Sequence, residues 1–213
     1  LVGFTLGAYK EHLKGHSIDD DKPSETVLAR SPDGGESWNL EKPEGLISGE
    51  EIHPIPCAGG INFTHPDFAM TCRGTRFYVS YDRGKTWSAP YALPDFGGEQ
   101  LTTRTDHIVN SRDDCLFFLS AFEPKVQAGI QDRAFCAQTH NGGKTFDFLS
   151  WMTPAPLSIR SVMPSTVRCS ETQLISALRR RLDQNNVNQN WISVYVSTDN
   201  GKHWEFLSKA TDT

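Results

Sequence analysis

The chain has 213 residues, 37% hydrophobic and 10% aromatic, with a formal net charge of -5. This composition supports a packed core and excludes a disordered chain. The acidic balance argues against general nucleic-acid binding, and no apolar run reaches the ~20 residues of a membrane-spanning helix.

In chain order, residues 1–8 read as a strand that lacks the basic flank and cleavage site of a signal peptide. There is no initiator Met, so the sequence reads as a piece of a longer protein. The polar stretch Lys10 to Lys22 follows and carries His12, His16, Asp19, Asp20 and Asp21. Strands are expected near 25–31 and 37–41, then near 67–72 and 76–81. Two fuller groups of four come next, near 105–110, 115–122, 133–139 and 145–151, then near 162–169, 173–180, 191–197 and 203–208. No segment shows a helical period. The five cysteines, Cys57, Cys72, Cys115, Cys136 and Cys169, form no CxxC pair and mostly lie in apolar runs, which reads as buried free thiols. No metal or cofactor motif stands out. Asn62-Phe63-Thr64 matches a glycosylation sequon, a short pattern that also arises by chance.

One pattern recurs four times: Ser/Thr-x-Asp-x-Gly-x-Ser/Thr-Trp. It is Ser31-Pro32-Asp33-Gly34-Gly35-Glu36-Ser37-Trp38, then Ser80-Tyr81-Asp82-Arg83-Gly84-Lys85-Thr86-Trp87. A looser copy is Thr139-His140-Asn141-Gly142-Gly143-Lys144-Thr145-Phe146, and the last is Ser197-Thr198-Asp199-Asn200-Gly201-Lys202-His203-Trp204. Each follows a strand-like run. The short Asp or Asn side chain can accept hydrogen bonds from the turn's own amides. Gly supplies a positive φ, and the aromatic ring covers the turn.

Four such turns at blade-like spacing resemble the Asp-box, or BNR, repeat of the sialidase (neuraminidase) superfamily over nearly the whole chain. The resemblance implies an all-β fold, a β-propeller of four-stranded antiparallel blades. About four blades of a family total of six would be present, near 1–45, 46–95, 96–153 and 154–213. It also implies that the Asp-boxes are structural and face away from the active site. A secreted or periplasmic location would follow by the same resemblance.

The candidate site then lies in the connections at the opposite end of the blades. The family's acid/base Asp sits upstream of the first Asp-box strand, where Asp19, Asp20 or Asp21 would match; a solvated acidic loop is the alternative. His12 and His16 would be sugar contacts. Arg104 and Asp106, two apart entering the third blade beside His107, would face the channel, or form an ion pair pinning two loops. Arg160, with Arg179 or Arg180, would join Arg104 in the arginine cluster with which sialidases grip a substrate carboxylate; surface arginines are the alternative. Glu123 occupies an equivalent strand end. The family's first arginine and its Tyr and Glu find no match, so the segment alone is expected to be inactive. The resemblance implies a sialidase-like exo-glycosidase acting on a glycan with an acidic sugar. The other readings are a non-catalytic glycan- or protein-binding propeller and another glycanase or lyase on the same blades.

Overall fold

The computed structural model describes residues 1–11, 18–19, 21–46, 52–97, 100–104, 106–122, 132–155, 159–184 and 187–211. His12, His16, Asp20 and Glu123 lie outside them. The described residues are strands, turns and loops with no helix, and four antiparallel sheets follow in chain order. The first contains β1 (Val2–Gly7), β2 (Ser24–Arg30) and β3 (Asn39–Glu41), and the second β4 (Ala69–Arg73), β5 (Arg76–Ser80) and β6 (Tyr91–Ala92). The third holds β7 (Gln100–Leu101), β8 (His107–Val109), β9 (Cys115–Phe122), β10 (Asp132–Thr139) and β11 (Asp147–Trp151). The fourth is β12 (Ile159–Arg168), β13 (Leu174–Gln184), β14 (Val187–Ser197) and β15 (Glu205–Lys209), each strand beside its sequence neighbour. These strands fall within a few residues of the expected ones. The inner strand of the third blade is split: β7 and β8 both pair with β9.

The third blade explains the packing. Its strands β9 and β10 are buried on both faces, so Cys115-Leu116-Phe117-Phe118-Leu119 is a continuous apolar run instead of an alternating one. Odd positions Phe117, Leu119, Phe135 and Ala137 meet Met70, Cys72, Phe77 and Val79 of the second blade. Even positions Leu116, Phe118, Ala134 and Cys136 meet Leu174, Leu178 and Tyr195 of the fourth. Phe117 touches Phe63, Phe77 and Phe146 edge-on, a geometry that the ring quadrupole favours. Cys57, Cys72, Cys115 and Cys136 are buried thiols and Cys169 is exposed; all five are free.

Each Asp-box joins the last two strands of its blade. In the second, Asp82 accepts from the amides of Lys85 and Thr86, both at 3.0 Å, and from the hydroxyls of Ser80 and Thr86 at 2.7 and 2.6 Å. These donors hold its carboxyl well below the usual range. The turns bend through paired positive φ angles at Gly34-Gly35, Arg83-Gly84, Gly142-Gly143 and Asn200-Gly201. The indole N–H of Trp38, Trp87 and Trp204 donates to the glycine carbonyl three residues earlier. The hairpins entering the blades lie at the same end: Arg168 donates to Asn200 at 2.8 Å, and the Gly142 amide to the Asp113 carbonyl at 2.8 Å.

Candidate functional site

The opposite end of the blades is formed by the β4–β5 turn, the entries to β8, β10 and β12, and the far end of β13. Cationic side chains gather there in two groups. The first surrounds the turn Arg73-Gly74-Thr75-Arg76, tightened by Gly74 at φ 56°. Thr103 locks this turn to the third blade: its hydroxyl donates to the Gly74 carbonyl at 2.6 Å, and the Gly74 amide returns to the Thr103 carbonyl at 3.4 Å. Arg104, the next residue, is thereby brought beside Arg73. Arg73 donates to Thr26 at 2.8 Å and Arg76 to the Tyr78 hydroxyl at 2.8 Å. Burial, then the charges of Arg76 and Arg104, disfavour the charged form of Arg73. Among the described residues none of the three guanidinium groups pairs with a carboxylate.

Arg73 and Arg104 line a cavity of about 670 Å³ between the first and second blades. Its lower wall is apolar, with Leu28, Leu46, Met70 and Trp87, and Thr5, Thr26 and Thr71 supply hydroxyls. Arg73 and Arg76 carry no distinguishing pattern in sequence beyond two arginines flanking a Gly-Thr turn.

Asp106, two residues past Arg104, reaches the fourth blade. Burial pushes its carboxyl up to about 7, against hydrogen bonds from the Thr166 hydroxyl and amide and the His107 amide that favour ionisation. Its Oδ2 is buried with no hydrogen-bond partner among the described residues. The Thr166 hydroxyl also bonds Ser176 at 2.9 Å. Burial lowers the pKa of His107, whose ring stands edge-on to Phe68.

The second cationic group sits between the third and fourth blades. Arg160 donates to Asp132 at 3.0 Å; the Asp132 side chain is 1% exposed. Arg180 is buried, donates to the Tyr195 hydroxyl at 3.0 Å and lies 5.8 Å from the centre of that ring. Arg179 is opposite Ile192 on the adjacent register position, half-buried, and donates to Asn190 at 3.4 Å. The cluster expected from Arg104, Arg160 and one of Arg179 or Arg180 is thus spread over two groups, and each of the last three already has a protein partner.

Asp19 and Asp21 fold onto lysines. Asp19 is 3.3 Å from Lys10 and 3.6 Å from Lys22, and Asp21 is 3.2 Å from Lys10. Although desolvation opposes it, the Asp21 amide and the two lysines hold the Asp19 carboxyl below its ordinary value. Asp19 therefore stays ionised where Asp106 holds a proton near neutrality.

The model of the BNR/Asp-box repeat matches residues 78–89 and 195–206, the second and fourth turns. The chain carries BNR/Asp-box propeller blades. Among solved structures these blades are similar to an α-L-arabinanase of Penicillium chrysogenum complexed with arabinobiose, at 15% identity and a TM-score of 0.58. The match covers 88% of this chain and 60% of that one. A protein of unknown function from Dyadobacter fermentans DSM 18053 matches at 15% identity and a TM-score of 0.57, over 91% and 60% of the two chains. The blades thus span three fifths of the length of both. Among curated proteins no sequence matches the chain.

Proposed function

We propose that these blades belong to a glycan-processing propeller that takes an acidic sugar, as a sialidase-like exo-glycosidase does. One observation carries the reading: Arg73 and Arg104 line the cavity, with Arg76 at the other end of the β4–β5 turn, and among the described residues none of the three pairs with a carboxylate. Asp106, two residues past Arg104, has its carboxyl pushed up to about 7 by burial. A guanidinium offers a planar donor fork to the sugar carboxylate. The apolar wall beneath suits the non-polar face of a pyranose. Asp106 has the protonation behaviour of a general acid for the leaving oxygen. The arabinanase neighbour and the Asp-box turns support a carbohydrate substrate in general. The acidic sugar rests on the arginines alone.

A second reading, a propeller that binds the glycan without cleaving it, has its own support. A glycosidase needs a second reacting group opposite the acid. Two other described carboxylates at this end, Asp19 and Asp132, are committed to Lys10, Lys22 and Arg160.

Fluorogenic glycosides presented to the intact protein separate the readings. Release from a sialoside or glucuronide, abolished by Asp106→Asn, supports the enzyme. Binding of the acidic sugar without release supports the lectin-like alternative. Cleavage confined to a neutral arabinoside would overturn the acidic-sugar reading.

A further inference from the structure

The Asp-box end holds a second polar cavity, unrelated to the arginine mouth. It has a volume of about 390 Å³ and is lined by Gly59–Asn62, Arg112, Asp113, His140, Asn141 and Lys144. Its chemistry departs from that of the other Asp-box turns in one respect. Asp33, Asp82 and Asp199 put a carboxylate in their turns, each held ionised by its donors. The third turn carries Asn141 instead. Asn141 does the same structural work: its Oδ1 accepts the Thr145 amide at 3.0 Å and its Nδ2 donates to the Thr145 hydroxyl at 2.8 Å. The turn therefore does not need the charge, and its loss removes an acid from this cavity alone.

Asp113 is the one carboxylate left in this lining, and Arg112, Lys144, His140 and Asn62 offer donors. Lys144 has no carboxylate partner among the described residues, and its stem lies over Gly60, where a Cβ would come within 2.9 Å of the lysine Cε. Arg112 reaches Asp113 through one terminal nitrogen at 3.3 Å, leaving the rest of its fork for a ligand. Asp114 takes His140 Nδ1 at 2.5 Å and also accepts from Asn110 and Gln138, so it fixes the imidazole while its own charge is taken up. Asn62 gives its oxygen to the amide and hydroxyl of Thr64, at 3.2 and 3.0 Å, which leaves its NH₂ to offer.

We infer that this cavity binds a tetrahedral oxyanion, a sulfate or phosphate ester, through Arg112, Lys144, His140 and Asn62. Such an ion presents several acceptors to converging donors; with Asn at position 141, Asp113 is the only acid in the lining and is already paired with Arg112, so Lys144 is left unopposed. The site lies on the end opposite the arginine mouth and does not depend on the function proposed there.

Asn141→Asp tests this without endangering the fold, because Asp occupies the same place in three sister turns. The protein is titrated with sodium sulfate, and separately with inorganic phosphate, at constant ionic strength kept with chloride, while amide NMR signals are followed. Saturable shifts at Gly60, Arg112 and Asn141–Lys144 are expected. Asn141→Asp and Lys144→Ala should each weaken binding about tenfold or more with the melting temperature held. A sugar O-sulfate and a sugar phosphate in further arms name the physiological ester by which binds more tightly. Shifts that chloride reproduces, that do not saturate, or that persist undiminished in Asn141→Asp would overturn the inference.

Discussion

Replacing one glycine at a time in the Asp-box turns by Ala separates backbone strain from packing between blades. Gly34, Gly142 and Gly201 all have positive φ, at 79°, 72° and 89°. Each Ala variant therefore carries the left-handed penalty of about 1–2 kcal/mol. The surroundings differ. A Cβ at Gly34 meets nothing within 4 Å, so strain is the whole effect. At Gly201 it would lie 2.9 Å from Cys136 Sγ and 3.7 Å from Leu174 Cδ1, inside the junction of the third and fourth blades. Overpacking there adds about 1–3 kcal/mol. At Gly142 it would lie 2.7 Å from the Ile61 amide nitrogen and 2.9 Å from the Ile61 carbonyl oxygen, which cannot rotate away. It would also strain the 2.8 Å bond from that amide to the Gly142 carbonyl, adding about 1 kcal/mol. The order of damage is thus Gly34→Ala, then Gly201→Ala, then Gly142→Ala, read as urea midpoints at unchanged slope. Equal shifts in all three would refute the claim that these turns key into neighbouring chain.

Further outcomes follow from single side chains. Phe117→Ala, fully buried among Phe63, Phe77 and Phe146, should cost about 3–5 kcal/mol of unfolding free energy. Arg160→Ala strands the Asp132 carboxylate at 1% exposure and should cost about 3–5 kcal/mol, read as a change in unfolding free energy. Asp106 keeps its proton in the folded state up to about 7 but releases it near 3.8 when unfolded. Folded protein therefore binds more protons between these values, and stability should fall as pH rises through that window, by an amount on the order of a few kcal/mol. Asp106→Asn should flatten that part of a stability-versus-pH profile.

The fold was largely legible because the Asp-box is a local device. Within eight residues its Asp bonds the flanking Ser or Thr and its Trp bonds the Gly carbonyl, so spacing alone places the strands on either side. Blade three also showed itself through the apolar run at Cys115–Leu119, since burial on both faces removes alternation. The site was less legible because its contacts are made across blades. Arg104 stands out in the sequence by its position at a strand entry. Arg73 joins it only because Thr103 bonds to Gly74, residues 29 apart in sequence. The Arg-Gly-Thr-Arg turn is the one signal that could have directed attention there. Asp114 and His140, 26 residues apart, likewise meet only once the Asp-box turn lies beside the hairpin from β8 to β9. Conversely, the sequence offers Asp19 as an acid/base candidate or a solvated loop acid, because nothing in the order of residues fixes Lys10 and Lys22 around it.

In the proposed function, Arg73, Arg76 and Arg104 select for a sugar carboxylate. The most direct measurement compares the affinity of the intact protein for glucuronic acid and for glucuronamide, which differ only in that charge, with and without Arg104→Ala. The arginine mouth predicts tighter binding of the acid, and a preference that shrinks in the variant. Equal affinity for the two sugars, or a preference untouched by losing Arg104, would contradict it.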